Sequence, residues 1–419
     1  MVPIPDFPKQ VESRDNAINP RRKPSVITEM LFWFVHISLA LYIYILGTIM
    51  YNMYYAKGVA DYVNSFFSLS ILILTLNGDW WTLTKRSSIQ DALRLVKKSD
   101  DLVRQSGKFA DEHAGMMKII KWLILACYTF HFVNEVLIFS TVRVITTTEI
   151  TITSCTGLRP LSGSPNMAIC KAMLTFQELT GIIVVATYDA MVILFTSHST
   201  AMYDLLRLDI ASIQHLEPSD PDGDLTISKR LREAIQRHTL ILDTVRILQS
   251  IYSFAVGVDF SNYAVSVMLF FVVPLNICIK FGPLVAHNLL VFFLYCLLGQ
   301  KLNTAAENLE MAIYDCGWER FSLKHRKLVL FMLIRSQEPV MLYAAKVVPI
   351  RLYTFASTMQ AIYKFAAVDV EFVNDDRHNY LMRGRVWGRH RSSIKSGAAQ
   401  SGSGFSTGND DFSNSINND

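Results

Sequence analysis

Charge is what this chain has least of. Of its 419 residues only 18% are charged while 51% are apolar, where a soluble domain carries about a quarter charged residues. An ordinary soluble enzyme and a disordered chain are both excluded on that ground. Neither sign dominates: 40 Lys and Arg against 36 Asp and Glu leave a net charge of +4, so no basic field invites nucleic acid. Cysteine is sparse, with 6 residues widely spaced, which excludes a disulfide scaffold and, without a CxxC or Cys/His cluster, a structural metal site. There is no P-loop, GxSxG, HExxH or dinucleotide fingerprint, so no enzymatic activity and no cofactor is expected. The first 26 residues are polar and broken by Pro3, Pro5, Pro8, Pro20 and Pro24, unlike a cleaved signal peptide.

What the chain has instead is apolar runs of bilayer length. They fall at about Met30–Met50, Val59–Leu76, Ile119–Thr141, Leu179–Phe195, Phe254–Pro274 and Phe281–Leu298, with a weaker one at Val347–Val368 holding Arg351 and Lys364. Trp80 and Trp81 follow the second run as an interfacial aromatic belt would. The polar blocks on one side of these spans hold 25 Lys and Arg, those on the other side 5. The positive-inside rule therefore places the amino terminus in the cytoplasm and, after seven spans, the carboxyl terminus outside. The expected architecture is all-α: a cytoplasmic segment over 1–28, a seven-transmembrane domain over 29–368, and a polar, compositionally disordered tail over 369–419. The basic cluster Arg377–Lys395 in that tail sits against the rule.

The cytoplasmic blocks carry helical stripes. Leu231, Ile235, His238, Leu242, Val245 and Leu248 step by three or four into the fifth span, and Leu302, Ala305, Leu309 and Ile313 continue from the sixth. Such extended helices bury their apolar faces within the subunit, between subunits, or both.

Candidate sites come with alternatives. Cys155 and Cys170 share an outer loop where oxidation is permitted, either as a bridge or as two free thiols. Glu135 and Asp259 lie inside spans, and intramembrane charges mark functional sites by default. His131, one helical turn before Glu135, makes with it either a polar anchor for a ligand or an internal structural pair. Aromatic residues near the outer span ends, Tyr62, Phe66, Phe67, Phe132, Phe139 and Tyr188, together with His287, line an apolar pocket for a small volatile molecule or simply pack against helices and lipid. The last segment, with Thr354, Ser357, Thr358, Gln360 and Lys364, suits water or an axis of identical copies better than lipid. Phe355, Thr358, Met359, Ile362 and Tyr363 would then form a pore lining; an interfacial amphipathic helix is the other reading.

Several stretches resemble the insect odorant receptors: FFLYCLLGQKL (Phe292–Leu302), AIYDCGWERF (Ala312–Phe321), IRSQEPVMLYAAKVVPIRLYTF (Ile334–Phe355) and, upstream, RHTLILDTVRILQSIYSF (Arg237–Phe254). The resemblance covers about residues 25–368 and is most specific in the carboxyl-terminal third. It implies a ligand-binding subunit of an odorant-gated, nonselective cation channel in the plasma membrane of the olfactory-neuron dendrite. It also implies a heterotetramer with a shared olfactory co-receptor, joined through a cytoplasmic anchor of helix extensions. Odorant would enter among helices two, three, four and six, and the second part of helix seven would line the pore. The co-receptor itself fits less well, because its long cytoplasmic insertion before the fifth span is missing here. The ending departs from the family: Ile362, Tyr363, Lys364 and Phe365 are followed by Asp369 and the long tail.

Of the alternatives, a gustatory receptor of the same superfamily would end helix seven on a Thr-Tyr…Gln-Phe pattern that Tyr353, Thr354 and Phe355 do not supply. A G-protein-coupled receptor requires the opposite charge bias, and a secondary transporter requires internal repeats that are absent here.

Overall fold

A computed structural model of the chain describes residues 26–55, 58–144, 155, 158, 165–216, 221–272 and 275–367. The segment expected over 1–28, apart from its last residues, the tail over 369–419 and most of the outer loop around Cys155 lie outside the described residues. The chain divides into two compact units, Met1–Met359 and Gln360–Asp419. In the second, residues 360–367 are helical.

The first unit is built from helices. α1 (Val26–Ala40) passes through a wider π-helical stretch, Leu41–Met50, into α2 (Tyr51–Tyr55). α3 (Val59–Thr84) and α4 (Arg86–Ser106) come next, then α5 (Ala110–Val144), α6 (Pro165–Ile213), α7 (Pro221–Val272) and α8 (Leu275–Tyr314). α9 (Leu323–Ser336) leads to a two-stranded antiparallel hairpin, β1 (Tyr343–Ala344) and β2 (Val348–Pro349), and then to α10 over residues 352–359.

Length decides how these helices use the bilayer. α6, α7 and α8 have 49, 52 and 40 residues, or ~60–80 Å at 1.5 Å per residue, against a hydrocarbon core of about 30 Å. Each therefore runs far beyond the membrane. Among the described residues, five helical stretches are long and apolar enough to cross by composition alone. α3 carries its apolar run over Val59–Leu76 and then Asn77 and Asp79, which the bundle turns inward: Asn77 Nδ2 donates to Asp259 Oδ1 at 2.8 Å, and Asp79 Oδ1 lies 3.3 Å from His36 Nε2. Polar groups that helix neighbours satisfy lower a span's hydropathy without keeping it out of the bilayer.

The cytoplasmic stripes read from the sequence are buried inside this subunit. Leu231, His238, Leu248, Leu302, Leu309 and Ile313 are at most 3% exposed, and their apolar members belong to one core that continues from the membrane layer. Trp81 corrects the expected aromatic belt. It is buried, packed edge-on against Tyr188 at 5.0 Å and beside Tyr252 at 5.1 Å, while Trp80 alone keeps an exposed ring, against Phe254. Adjacent helical residues point about 100° apart, so only one of the pair can face outward.

The hairpin docks on α7 through side chains. Gln249 accepts from Tyr343 N at 2.8 Å and donates to Tyr343 O at 3.0 Å; Ser253 accepts from Ala345 N through its carbonyl (2.6 Å) and from Lys346 N through its hydroxyl (2.8 Å). Ala345 and Lys346 sit at φ 50° and 60°, a region that disfavours side-chain-bearing residues. The docking bonds hold them there.

Candidate functional site

Five helices bring a polar cluster together inside the apolar layer. α6 supplies Asp189, 2% exposed, in the apolar run VVATYDAMVILF. Its Oδ2 lies 2.8 Å from His131 Nε2 on α5, and its Oδ1 accepts from the Tyr295 hydroxyl on α8. The His131 ring meets His287 of α8 edge-on at 4.8 Å, and Phe130 stacks flat on His287 at 5.1 Å. On the other side, Asp259 of α7 is held by Asn77 of α3, which also donates to Ala255 O at 3.0 Å. A cavity of about 10 Å³, room for a single water, lies between them, lined by Asn77, Tyr188, Asp189, Asp259 and Tyr263.

Buried ionisable groups are costly unless paired. Here Asp189 has an imidazole partner from α5 and a hydroxyl partner from α8, and Asp259 an amide partner from α3. Such an arrangement can accept the polar end of a ligand, with Phe130, His287 and Tyr188 supplying flat aromatic surface beside it.

Of the residues expected to contact ligand, the fold gathers His131, Tyr188 and His287 in or next to this cluster. Phe67 is buried and packs edge-on with Phe66 at 5.6 Å. Tyr62 and Phe132 are exposed and stand outside it. Glu135 is half-buried, and the side chain of Phe139 lies outside the described residues. His131 turns its Nε2 to Asp189, and Glu135 stands one helical turn further along α5. Asp189 and Tyr295 escape pattern reading; a lone carboxylate in an apolar run is the one signal that points to them.

Two further observations bear on the expected sites. Cys155 and Cys170 are joined in a disulfide with Cα atoms 5.9 Å apart, tying the outer loop to the start of α6. On α10, Phe355 packs inward against Phe292 and Phe293, both at 5.3 Å, and Met359 also rests on the core. Thr358 is half-buried and Ile362 buried. The outward residues are Tyr353, 79% exposed, and, in the second unit, Tyr363, 73% exposed.

These features define a multi-pass, all-α membrane protein with seven membrane helices and long extensions on one side. The family described as 7tm Odorant receptor matches residues 58–363, and the chain belongs to that family, one of receptors and not of enzymes. It is 27% identical over 177 residues to odorant receptor 10a of Drosophila melanogaster, covering 40% of this chain and 43% of that protein. To odorant receptor 2a of the same fly it is 29% identical over 153 residues, covering 33% of this chain and 34% of the relative. The chain thus matches less than half the length of these curated relatives. The fold is similar to that of the insect olfactory receptor OR5 from Machilis hrabei in complex with eugenol, with a TM-score of 0.67 at 15% identity, over 85% of this chain and 92% of that one.

Proposed function

We propose that this chain is the odorant-binding subunit of a ligand-gated, nonselective cation channel, assembled with an olfactory co-receptor into a heterotetramer in the dendritic plasma membrane of olfactory neurons. Its ligand is a small, largely apolar volatile with one or two polar groups, the kind of molecule that eugenol is. His131, Tyr188 and His287 receive the polar end, and Phe66, Phe67 and Phe139 contribute apolar wall, with Tyr62, Phe132 and Glu135 at the approach.

The observation that carries the assembly is an apolar surface beyond the membrane. On α9, Leu323, Leu330, Phe331 and Ile334 are 54–71% exposed, and Met311 and Tyr314 at the end of α8 are 64% and 62% exposed. Apolar side chains clustered in an aqueous compartment mark a protein–protein interface. Lining of the conduction path by α10 rests on Tyr353, which remains exposed, and on the half-buried Thr358. Phe355 and Met359 then anchor that helix.

Whole-cell current from cells expressing the chain with and without an insect co-receptor, with G-protein signalling blocked, tests this reading. The expected result is a cation current that needs both subunits and responds to members of a volatile panel. His287→Ala should shift the dose–response midpoint without abolishing surface delivery. Silence while both subunits are at the surface would sink the proposal.

A further inference from the structure

A second, larger cavity lies far from the odorant site, between the end of α4, the distal part of α6 and the start of α7. Its volume is about 540 Å³, within the usual range for small-molecule sites. Its charged lining is Lys108, Lys229, Arg230 and Arg237 against Asp209 and Glu233, four cations to two carboxylates.

The chemistry at its floor is unbalanced. Asp209, 3% exposed, is shared by two guanidiniums: Arg230 donates to its Oδ1 and to its backbone carbonyl, and Arg237 Nη1 donates to its Oδ2 at 3.4 Å. Arg230 and Arg237 are only 8% and 7% exposed. One carboxylate cannot neutralise two buried guanidiniums, and the remaining positive charge is poorly solvated by water. The Arg230 Nε is buried and has no hydrogen-bond partner among the described residues, although a guanidinium suits bidentate binding of phosphate. Lys108 and Lys229 are exposed, adding two mobile charges at the mouth. The geometry points to a binding site for a soluble, multiply phosphorylated anion on the cytoplasmic side of this receptor. Among the described residues no aromatic ring lines the cavity, so none there stacks on a purine, and a compact polyphosphate such as an inositol phosphate fits better than a nucleotide.

Position separates a soluble ligand from a lipid headgroup. Asp209 lies 14 residues along α6 beyond Phe195, and Arg237 17 residues along α7 before Phe254. At 1.5 Å per residue these are ~21 Å and ~25 Å from the span ends, whereas the headgroup layer adds only about 5–8 Å.

Isothermal titration of the purified full chain with inositol hexakisphosphate tests the assignment, beside the chain in vesicles containing a phosphoinositide. Saturable binding of the free polyphosphate at one site per chain is expected. Lys108→Glu with Lys229→Glu, two exposed changes that leave the buried Asp209 pairing intact, should weaken it about tenfold or more by reversing the charge at the mouth. Absence of binding overturns the proposal, as does binding that the double variant leaves unchanged, since that would belong to other basic segments. Binding to phosphoinositide vesicles without binding of the free polyphosphate overturns the soluble-ligand assignment. The readout is binding, independent of any odorant-evoked current.

Discussion

Replacing Gly257 by alanine tests how the hairpin before α10 is held. A Cβ at Gly257 would stand 2.8 Å from Ala345 Cβ and 2.9 Å from Ala345 N, closer than real Cβ contacts allow. The hairpin has to move, and the four Gln249 and Ser253 bonds that dock it move with it. At about 1 kcal/mol net each, complete loss costs ~4 kcal/mol, and overpacking of this type measures ~1–3 kcal/mol. Alanine in a helix returns about 1 kcal/mol relative to glycine, leaving a net loss of up to ~3 kcal/mol. The control is Gly115→Ala on α5, where an added Cβ meets nothing within 4 Å, so the propensity gain of ~0.5–1 kcal/mol stands alone. Fluorescence-detected thermal melting of the detergent-solubilised receptor separates the two: Gly257→Ala should melt below the parent and Gly115→Ala at or above it. Under the proposed channel function, odorant-evoked current should also fall with Gly257→Ala, because the hairpin sets where α10 begins. If Gly257→Ala melts as high as Gly115→Ala, the close-approach argument is refuted. Gly299→Ala, whose Cβ would run into the Ile350 backbone oxygen, should be worse than Gly257→Ala in the same assay.

Three other perturbations have outcomes set by the geometry. His131→Leu leaves Asp189 buried with a partner removed, at a cost of ~3–5 kcal/mol, so surface delivery should collapse; His131→Leu with Asp189→Leu should recover much of it, and failure to recover would refute the pairing. Reducing the Cys155–Cys170 bridge, or Cys155→Ser with Cys170→Ser, removes ~3 kcal/mol of loop-closure stabilisation for a separation of 15 residues, read as a lower melting midpoint insensitive to further reductant. Asp100 on α4 is hydrogen-bonded by His113 at 2.9 Å and His198 at 3.0 Å. Burial pushes its carboxyl up, but hydrogen bonds and charge from His198 and His113 outweigh that and hold it below the ordinary 3.8. A depressed folded-state value means the contribution is fully present above 3.8 and lost as pH falls through and below it. The melting difference between the parent and Asp100→Asn should therefore shrink as pH falls through that acid window.

Local chemistry along the chain prescribes the architecture. Apolar runs of bilayer length, the lopsided distribution of Lys and Arg, and the 3.6-residue stripes through Leu231–Leu248 and Leu302–Ile313 dictate long membrane helices with buried extensions, because each depends on periodicity along one helix. The carboxyl-terminal motifs point to the family for the same reason: they are contiguous. Partners across helices are not legible that way. Spacing sets His131 one turn from Glu135, but that Asp189 on another helix comes within 2.8 Å of its ring is decided by the fold. Phe355 and Met359, suited by type to a pore, face inward because α8 presents Phe292 and Phe293 to Phe355 and the core takes Met359. Arg230 and Arg237 look like ordinary surface charges on a cytoplasmic helix until α6 brings one Asp209 between them. A helix's register fixes which residues share a face, but only tertiary packing decides what that face meets, and burial, charge balance and cavity shape are properties of the meeting.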